Sequence, residues 1–330
     1  MLPTTAKSKM AKAAAVAKAT TRPVGDTISA QYKILNRNDP KLVTHFCQLR
    51  EKRAYRADQN SVLVQGLKTI HELVARQIHL KALAVTTPPP ILASRHIEDA
   101  ALTQEARHLL LHPESIPATR YYSLDIHLTR RILGTASQPH PNEVWAEAER
   151  PPIEFTPPDR LLVFNGIKDP GNLGNLIRSA RALNWTASLN VQGTVDVLND
   201  KVIRASRATS LTWPFQSFGT IHEAGAWMEG HGYMPIVADM LPVSVDAVGP
   251  VLWDPQSPEG ARPLKGLPRK IALVLSSEHW GFKMRAHGQG GVQPHAWTRI
   301  SIPMMPGAES LNVSVAGAMC MLGLNALLQV

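Results

Sequence analysis

Cysteine is nearly absent from this chain: among 330 residues only Cys47 and Cys320 carry a thiol. Two cysteines so far apart make neither a disulfide framework nor a zinc cluster, and they fit a reducing compartment. No apolar run approaches the roughly 18 residues that would span a bilayer, so no membrane partner is expected. No G-x-G-x-x-G fingerprint and no P-loop Lys-Ser/Thr is present, which disfavours nicotinamide and nucleoside triphosphate enzymes. No internal repeat occurs. Acid is missing from the first 25 residues, where Lys7, Lys9, Lys12, Lys18 and Arg22 stand among Ala, Thr and Ser. That stretch lacks the apolar centre of a secretory signal. It reads as an organellar transit peptide or as a disordered basic arm.

What is present is unevenly charged. The net charge is +9. Residues 1–150 hold 21 Lys and Arg against 13 Asp and Glu, whereas residues 151–330 hold 14 against 13. The front half is therefore the better candidate for touching a polyanion. Its candidate phosphate contacts are Arg50, Lys52, Arg53 and Arg56, then Lys68 and the pair Arg130-Arg131. Tyr121 and Tyr122 are candidates for stacking on unpaired bases.

Four segments follow from composition and periodicity: a basic tail over 1–27, a small α/β unit over 28–150, a Pro-rich linker over 151–158, and an α/β unit over 159–330. In the second segment a helix is predicted from Lys41 to Arg50, and another from Gly66 to Arg76. Strands are expected at Ser61–Val64, Leu80–Val85 and Val144–Ala148. After the linker, strands at 161–164, 186–191, 234–239 and 271–275 alternate with helices at 173–184 and 199–207, and the chain ends in an apolar helix over 313–328. The run Ile271-Ala-Leu-Val-Leu275 is wholly apolar, as a buried parallel strand should be. A parallel sheet is therefore expected, with residues 242–268 as a Pro/Gly-rich insertion.

Three polar segments carry the chemistry. Asn165-Gly-Ile-Lys-Asp-Pro-Gly-Asn-Leu-Gly-Asn-Leu-Ile-Arg-Ser-Ala180 runs from a strand through a turn into a helix. Leu273-Val-Leu-Ser-Ser-Glu-His-Trp-Gly281 and Ile300-Ser-Ile-Pro-Met-Met-Pro-Gly-Ala-Glu-Ser-Leu-Asn-Val-Ser-Val-Ala316 have the same strand-then-loop character. Gly171-Asn-Leu-Gly174 alone is an ordinary βα turn. Three such segments in this order point to one site built from loops at one end of a sheet.

Together these segments resemble the three ordered motifs of the TrmH (SpoU) family of SPOUT-superfamily RNA 2′-O-ribose methyltransferases. Asp169-Pro-Gly-Asn-Leu-Gly174 with Pro306-Gly307 is most similar to the mitochondrial large-subunit rRNA subgroup. Residues 40–150 resemble, more loosely, the L30e-like substrate-binding domain found ahead of the catalytic domain, with Gln65 where Glu is usual and Pro139 where Gly is usual. The resemblance implies a deep trefoil knot, S-adenosylmethionine as cofactor, no metal, an RNA partner and a homodimer. It implies catalytic roles for Arg178, Asn172, Glu278, Ser310 and Asn312, and a cofactor wall of Ser276, Gly281, Ile302, Pro303, Met304 and Leu311. Ser276 and His279 stand where Gly is common. Ser310 also suits a helix N-cap. Large-subunit rRNA in mitochondria is the expected setting, with cytoplasm or another organelle as alternatives. A tRNA ribose methyltransferase, or a silent RNA-binding assembly factor on the same fold, are the rival functions.

Overall fold

A computed structural model describes residues 26–97, 102–135, 139–240, 250–253, 267–276, 297–305, 307 and 310–328. Two sheets organise these residues. The first contains β1 (Tyr32–Ile34), β2 (Ser61–Gln65), β3 (Leu80–Thr86), β4 (Tyr121–Leu124) and β5 (Val144–Glu149), in the order β1-β4-β3-β5-β2. β1, β4 and β3 run parallel, and β5 opposes both β3 and β2. Around it lie α1 (Pro40–Glu51), α2 (Arg53–Asp58), α3 (Leu67–Ala75), α4 (Pro89–Ser94), α5 (Gln104–Leu111) and α6 (Ile126–Leu133). The folded unit begins earlier than expected. Thr27 bridges His96, Ile28 is buried, and Asp26 pairs with Arg107, so Asp26 and Thr27 belong to the domain rather than to a tail.

The second sheet contains β6 (Arg160–Asn165), β7 (Ala187–Val191), β8 (Phe215–Phe218), β9 (Met234–Ala238), β10 (Val251–Trp253), β11 (Ile271–Ser276) and β12 (Thr298–Ser301). Their order is β10-β12-β9-β11-β6-β7-β8. β6 and β11 pair in register from Arg160 and Ile271 to Asn165 and Ser276, and their central residues are fully buried. Runs buried on both faces belong at the centre of a parallel sheet. The expectation of a purely parallel sheet needs one correction: β10, inside the predicted insertion, pairs antiparallel with β12. An antiparallel edge strand on an otherwise parallel sheet is common in large α/β sheets.

The second sheet is flanked by α7 (Pro170–Ala182), α8 (Asp200–Ala205), α9 (Ile221–Gly230) and α10 (Val313–Leu328). α7 starts where Asp169 accepts a hydrogen bond from Asn172 N and Pro170 occupies the first turn. That is an N-cap with Pro where its missing N–H costs nothing. Gly174 sits where α7 crosses α8: a Cβ there would lie 2.6 Å from Ala205 Cβ and 2.8 Å from Val202 O. Gly317 does the same for α10, where a Cβ would lie 2.5 Å from Leu176 Cδ2 and 2.9 Å from Leu275 Cδ1. Asn325 fastens the far end of α10. It accepts from Arg160 Nη1 (2.9 Å) and Trp185 Nε1 (3.0 Å) and donates to Leu183 O (2.8 Å).

The two sheets are not separate bodies. One continuous cluster of buried side chains includes Val62, Val64 and Ile70 of the first unit and Leu162, Val202 and Ile203 of the second. Polar contacts frame the junction. Arg204 Nη1 donates to Gln65 Oε1 (3.0 Å), and Arg56 Nη2 donates to Asp196 Oδ2 (2.6 Å).

Candidate active site

A cavity of about 200 Å³ opens at the carboxyl ends of β9, β11 and β12. This is where open α/β sheets hold ligands, beside the point at which strand order reverses. Its walls include Ser276, Ile302, Met304, Ser310 and Leu311, five residues singled out in the sequence. Leu275, Ile300, Val313 and Ala316 make it largely apolar, and Asp239 and Ser301 add polar groups. Cys320 closes the floor. Burial pushes its thiol up to about 12, so it stays protonated and acts as a small apolar wall. Pro303 lies on the same loop, half-buried. Glu278, His279 and Gly281 lie outside the described residues, as do Pro306, Glu309 and the first 25 residues.

The first and third motifs meet beside this cavity. Asn312 Nδ2 donates to Asn172 Oδ1 at 2.9 Å. Asn312 Oδ1 accepts from Ser314 N (2.9 Å) and Ser314 Oγ (2.6 Å). Asn312, not Ser310, is therefore the N-cap of α10, because only its oxygen reaches the N–H two residues on. Ser310 is exposed and keeps its hydroxyl for the cavity. The second motif is tied in as well: Asn165 Nδ2 donates to Ser276 Oγ at 3.1 Å. The hydroxyl that replaces a usual Gly thus has a partner on the neighbouring strand. Arg178 is exposed on α7 and does not line the cavity. It stands six positions after Asn172, about 9 Å along the helix.

The basic residues divide into two groups. Lys52, Arg53, Lys68, Arg130 and Arg131 are exposed. Arg56 is only 3% exposed; its guanidinium donates to Leu49 O, Arg50 O and Asp196. Arg50 donates to Arg131 O (2.8 Å) and Ile132 O (2.7 Å), capping the end of α6, and pairs with Glu51. These two are corrected from phosphate contacts to structural cations, since orphan helix carbonyls are what a buried guanidinium satisfies. The tyrosines also pack. Tyr122 is buried, and Tyr121 Oη donates to Ile116 O (3.3 Å) and accepts from Ala118 N (2.9 Å). Asp239, Asn165 and Cys320 were missed from the sequence. For Asp239 a signal existed, since it ends a predicted strand next to the switch point.

Residues 159–322 match the SpoU rRNA Methylase family. The chain belongs to the SpoU methylase family. A 23S rRNA (guanosine(2553)-2′-O)-methyltransferase of Bacillus subtilis is 23% identical over 253 residues, covering 74% of this chain and 91% of that protein. A 23S rRNA (adenosine(1067)-2′-O)-methyltransferase of Streptomyces laurentii is 28% identical over 162 residues, 49% of this chain and 52% of its own length. The mouse protein named rRNA methyltransferase 3, mitochondrial, is 26% identical over 166 residues, 50% of this chain and 37% of its own. Among solved structures, an RNA 2′-O ribose methyltransferase superposes with a TM-score of 0.60 at 22% identity, covering 90% of this chain and 100% of that one. The SpoU methyltransferase AviRb of Streptomyces viridochromogenes, in complex with AdoMet, gives 0.58 at 19% identity, covering 87% and 97%. These superpositions show that this SpoU chain shares their fold.

Proposed function

We propose that this SpoU-family protein is an S-adenosylmethionine-dependent RNA 2′-O-ribose methyltransferase acting on large-subunit rRNA. The observation that carries the reading is the Asn172–Asn312 hydrogen bond, which joins two motifs beside a cavity walled by Ser276, Ile302, Met304 and Leu311. Apolar walls with a few polar groups suit a purine flanked by ribose. The cofactor supplies a methyl group on a sulfonium, with its leaving group built in. Ile302 and Leu311 would pack on the adenine, with Pro303 on the loop beside them, and Gly281 keeps the cofactor role that the resemblance implies. Asn172 has its Oδ1 taken by Asn312, so its Nδ2 is the group offered to the target nucleotide. Arg178 serves as a protonated guanidinium that holds the target phosphate and stabilises alkoxide character at the 2′-oxygen. Glu278, outside the described residues, keeps the catalytic role that the family resemblance implies. Lys52, Arg53, Lys68, Arg130 and Arg131 contact phosphates.

The finer features belong to the same proposal. The first unit is an L30e-like RNA-binding domain. β12 lies outside β9 while α10 returns to pack on β11 and α7, a path that suits a trefoil knot. Val315, Met319 and Leu322 form an exposed apolar stripe on α10, which favours a homodimer that completes the site. The basic N-terminal stretch and the mouse relative favour mitochondria.

The test is transfer of labelled methyl from S-adenosylmethionine to large-subunit rRNA and to tRNA, with Arg178→Ala in parallel. Methyl incorporated into the 2′-oxygen of rRNA, and lost in the variant, is the expected result. Wild-type protein that binds no S-adenosylmethionine and methylates neither RNA would leave the silent assembly factor standing.

A further inference from the structure

A second cavity, of about 290 Å³, lies at the carboxyl ends of β7 and β8. It is separate from the cofactor cavity and shares no residue with it. Its loop is joined to the first motif: Gly166 N donates to Thr194 Oγ1 (3.0 Å), and Val195 N donates to Ile167 O (2.9 Å). Across the opening stands Arg53, an exposed cation from the first unit. The Arg56–Asp196 pair fixes that unit here, because Asp196 is itself a wall residue. The cavity is thus bounded by Arg53 of the basic domain, and its loop is tied to the start of the first motif at Gly166 and Ile167.

The walls are chemically specific. Alternation along β7 puts Ser188, Asn190 and Gln192 on one face. Pairing with β8 puts Phe215 opposite Ser188 and Ser217 opposite Asn190. Asn190 is only 9% exposed, and its amide is oriented by a buried relay. Trp213 Nε1 donates to Ser188 Oγ (2.9 Å), and Ser188 Oγ donates to Asn190 Oδ1 (2.8 Å). That bond engages the oxygen with the buried relay, so Nδ2, a donor, is the end left without a partner there to offer a ligand. The Phe215 ring, the Ser217 hydroxyl and the exposed Gln192 amide complete the lining.

We infer that this cavity is a subsite for one unpaired nucleobase of the RNA substrate, selecting a base that presents a carbonyl oxygen, uracil above adenine. A ring, a few amide and hydroxyl groups, and a cation for phosphate are how single-stranded RNA is read. Adenine is usually held by both ends of an Asn amide. Here the oxygen end is held by Ser188 in the buried relay, so that two-ended pairing is disfavoured and Asn190 meets a base with its donor end. The volume lies at the lower end of the roughly 300–1,000 Å³ of small-ligand sites, which suits one base. This inference rests on the RNA methyltransferase reading.

The test uses the full chain with fluorescently labelled oligouridylate and oligoadenylate, and with a thiouridine-containing oligonucleotide for photo-crosslinking. Wild type is expected to bind oligouridylate about tenfold more tightly, the scale of one discriminating polar contact. Asn190→Leu should erase the preference, and Ser217→Trp, at an exposed strand position, should do so by filling the cavity. Arg53→Ala should weaken both oligonucleotides alike, as a phosphate contact does. Crosslinks should map to Phe215–Gly219 or Asn190–Val197. Equal affinity of wild type for the two oligonucleotides, or crosslinks confined to other segments, would overturn the subsite. Titration with S-adenosylmethionine keeps the two ideas apart. Uridine preference without cofactor binding supports the subsite and defeats the methyltransferase reading; cofactor binding without base preference does the reverse.

Discussion

Asn312 donates to Asn172 Oδ1 with one end of its amide and caps α10 through Ser314 with the other. One side chain therefore serves both the site and the helix behind it. Asn312→Asp keeps the capping oxygen and removes the donor. Its thermal stability should stay within about 0.5 kcal/mol of wild type, as for a change that spares the cap. Methyl transfer should fall roughly 10- to 100-fold, the scale of a small misplacement at the reacting group. Asn312→Ala should in addition lose about 1 kcal/mol. Melting curves and single-turnover rates separate the two, and an unchanged rate in Asn312→Asp would refute the bridge.

Gly174 makes a helix contact in a segment whose pattern suggests a ligand-binding turn. Gly174→Ala would drive a Cβ to 2.6 Å from Ala205 Cβ and 2.8 Å from backbone oxygen. Overpacking of this kind costs about 1–3 kcal/mol. Gly171→Ala meets only Asp169 Oδ1 at 3.1 Å. Denaturant midpoints should therefore drop for the first variant and change much less for the second.

Arg56 and Asp196 have side chains 4% and 13% exposed. Arg56→Met leaves a shielded carboxylate and two α1 carbonyls without their donor, at a cost of about 3–5 kcal/mol. The salt dependence of RNA binding distinguishes it from a phosphate contact. Arg53→Ala should lower the slope by about one, whereas Arg56→Met, assayed where it is folded, should leave the slope unchanged.

Glu147 is buried between His45, at 3.2 Å, and Arg120, at 3.4 Å. Burial pushes its carboxyl up. Hydrogen bonds from His45 and Ser61 and the charges of His45 and Arg120 outweigh that, and the net direction is down. A carboxyl lowered in the folded state binds its proton more readily when unfolded. Its contribution is complete above the unfolded value, roughly pH 4, and is lost as pH falls through the lower folded value. Acid unfolding of wild type should steepen below about pH 4. Glu147→Gln should be less stable at neutral pH and show a shallower acid limb, read by circular dichroism against pH.

Much of the second unit was legible because its strands are unmixed apolar runs and α7 announces itself with Asp169-Pro170. β8 and β10 were not. Phe215-Gln-Ser-Phe218 is half-exposed at a sheet edge, and β10 sits among prolines and glycines, so neither carries a clean period. In the first unit, β4 was hidden in two tyrosines whose rings pack inward. Motif residues reach the cavity where they end or follow a strand, as Ser276 and Ile302 do, or stand just before a helix, as Leu311 does. Asp239 and Asn190 belong to no motif; only strand order reveals that their ends face ligand space. Arg50 and Arg56 show the limit of reading charge from a line of text. A cation near a helix end looks identical whether it meets a phosphate or the carbonyls of its own fold.

The buried cluster that runs from Val62 to Val202 passes beneath the Pro-rich segment without regard to it. The prolines mark where the chain crosses over, not where the molecule divides. Severing it near Pro151 would strand an oily face on each fragment. What the two sheets share is one interior, so a change at Val62 is felt at Val202.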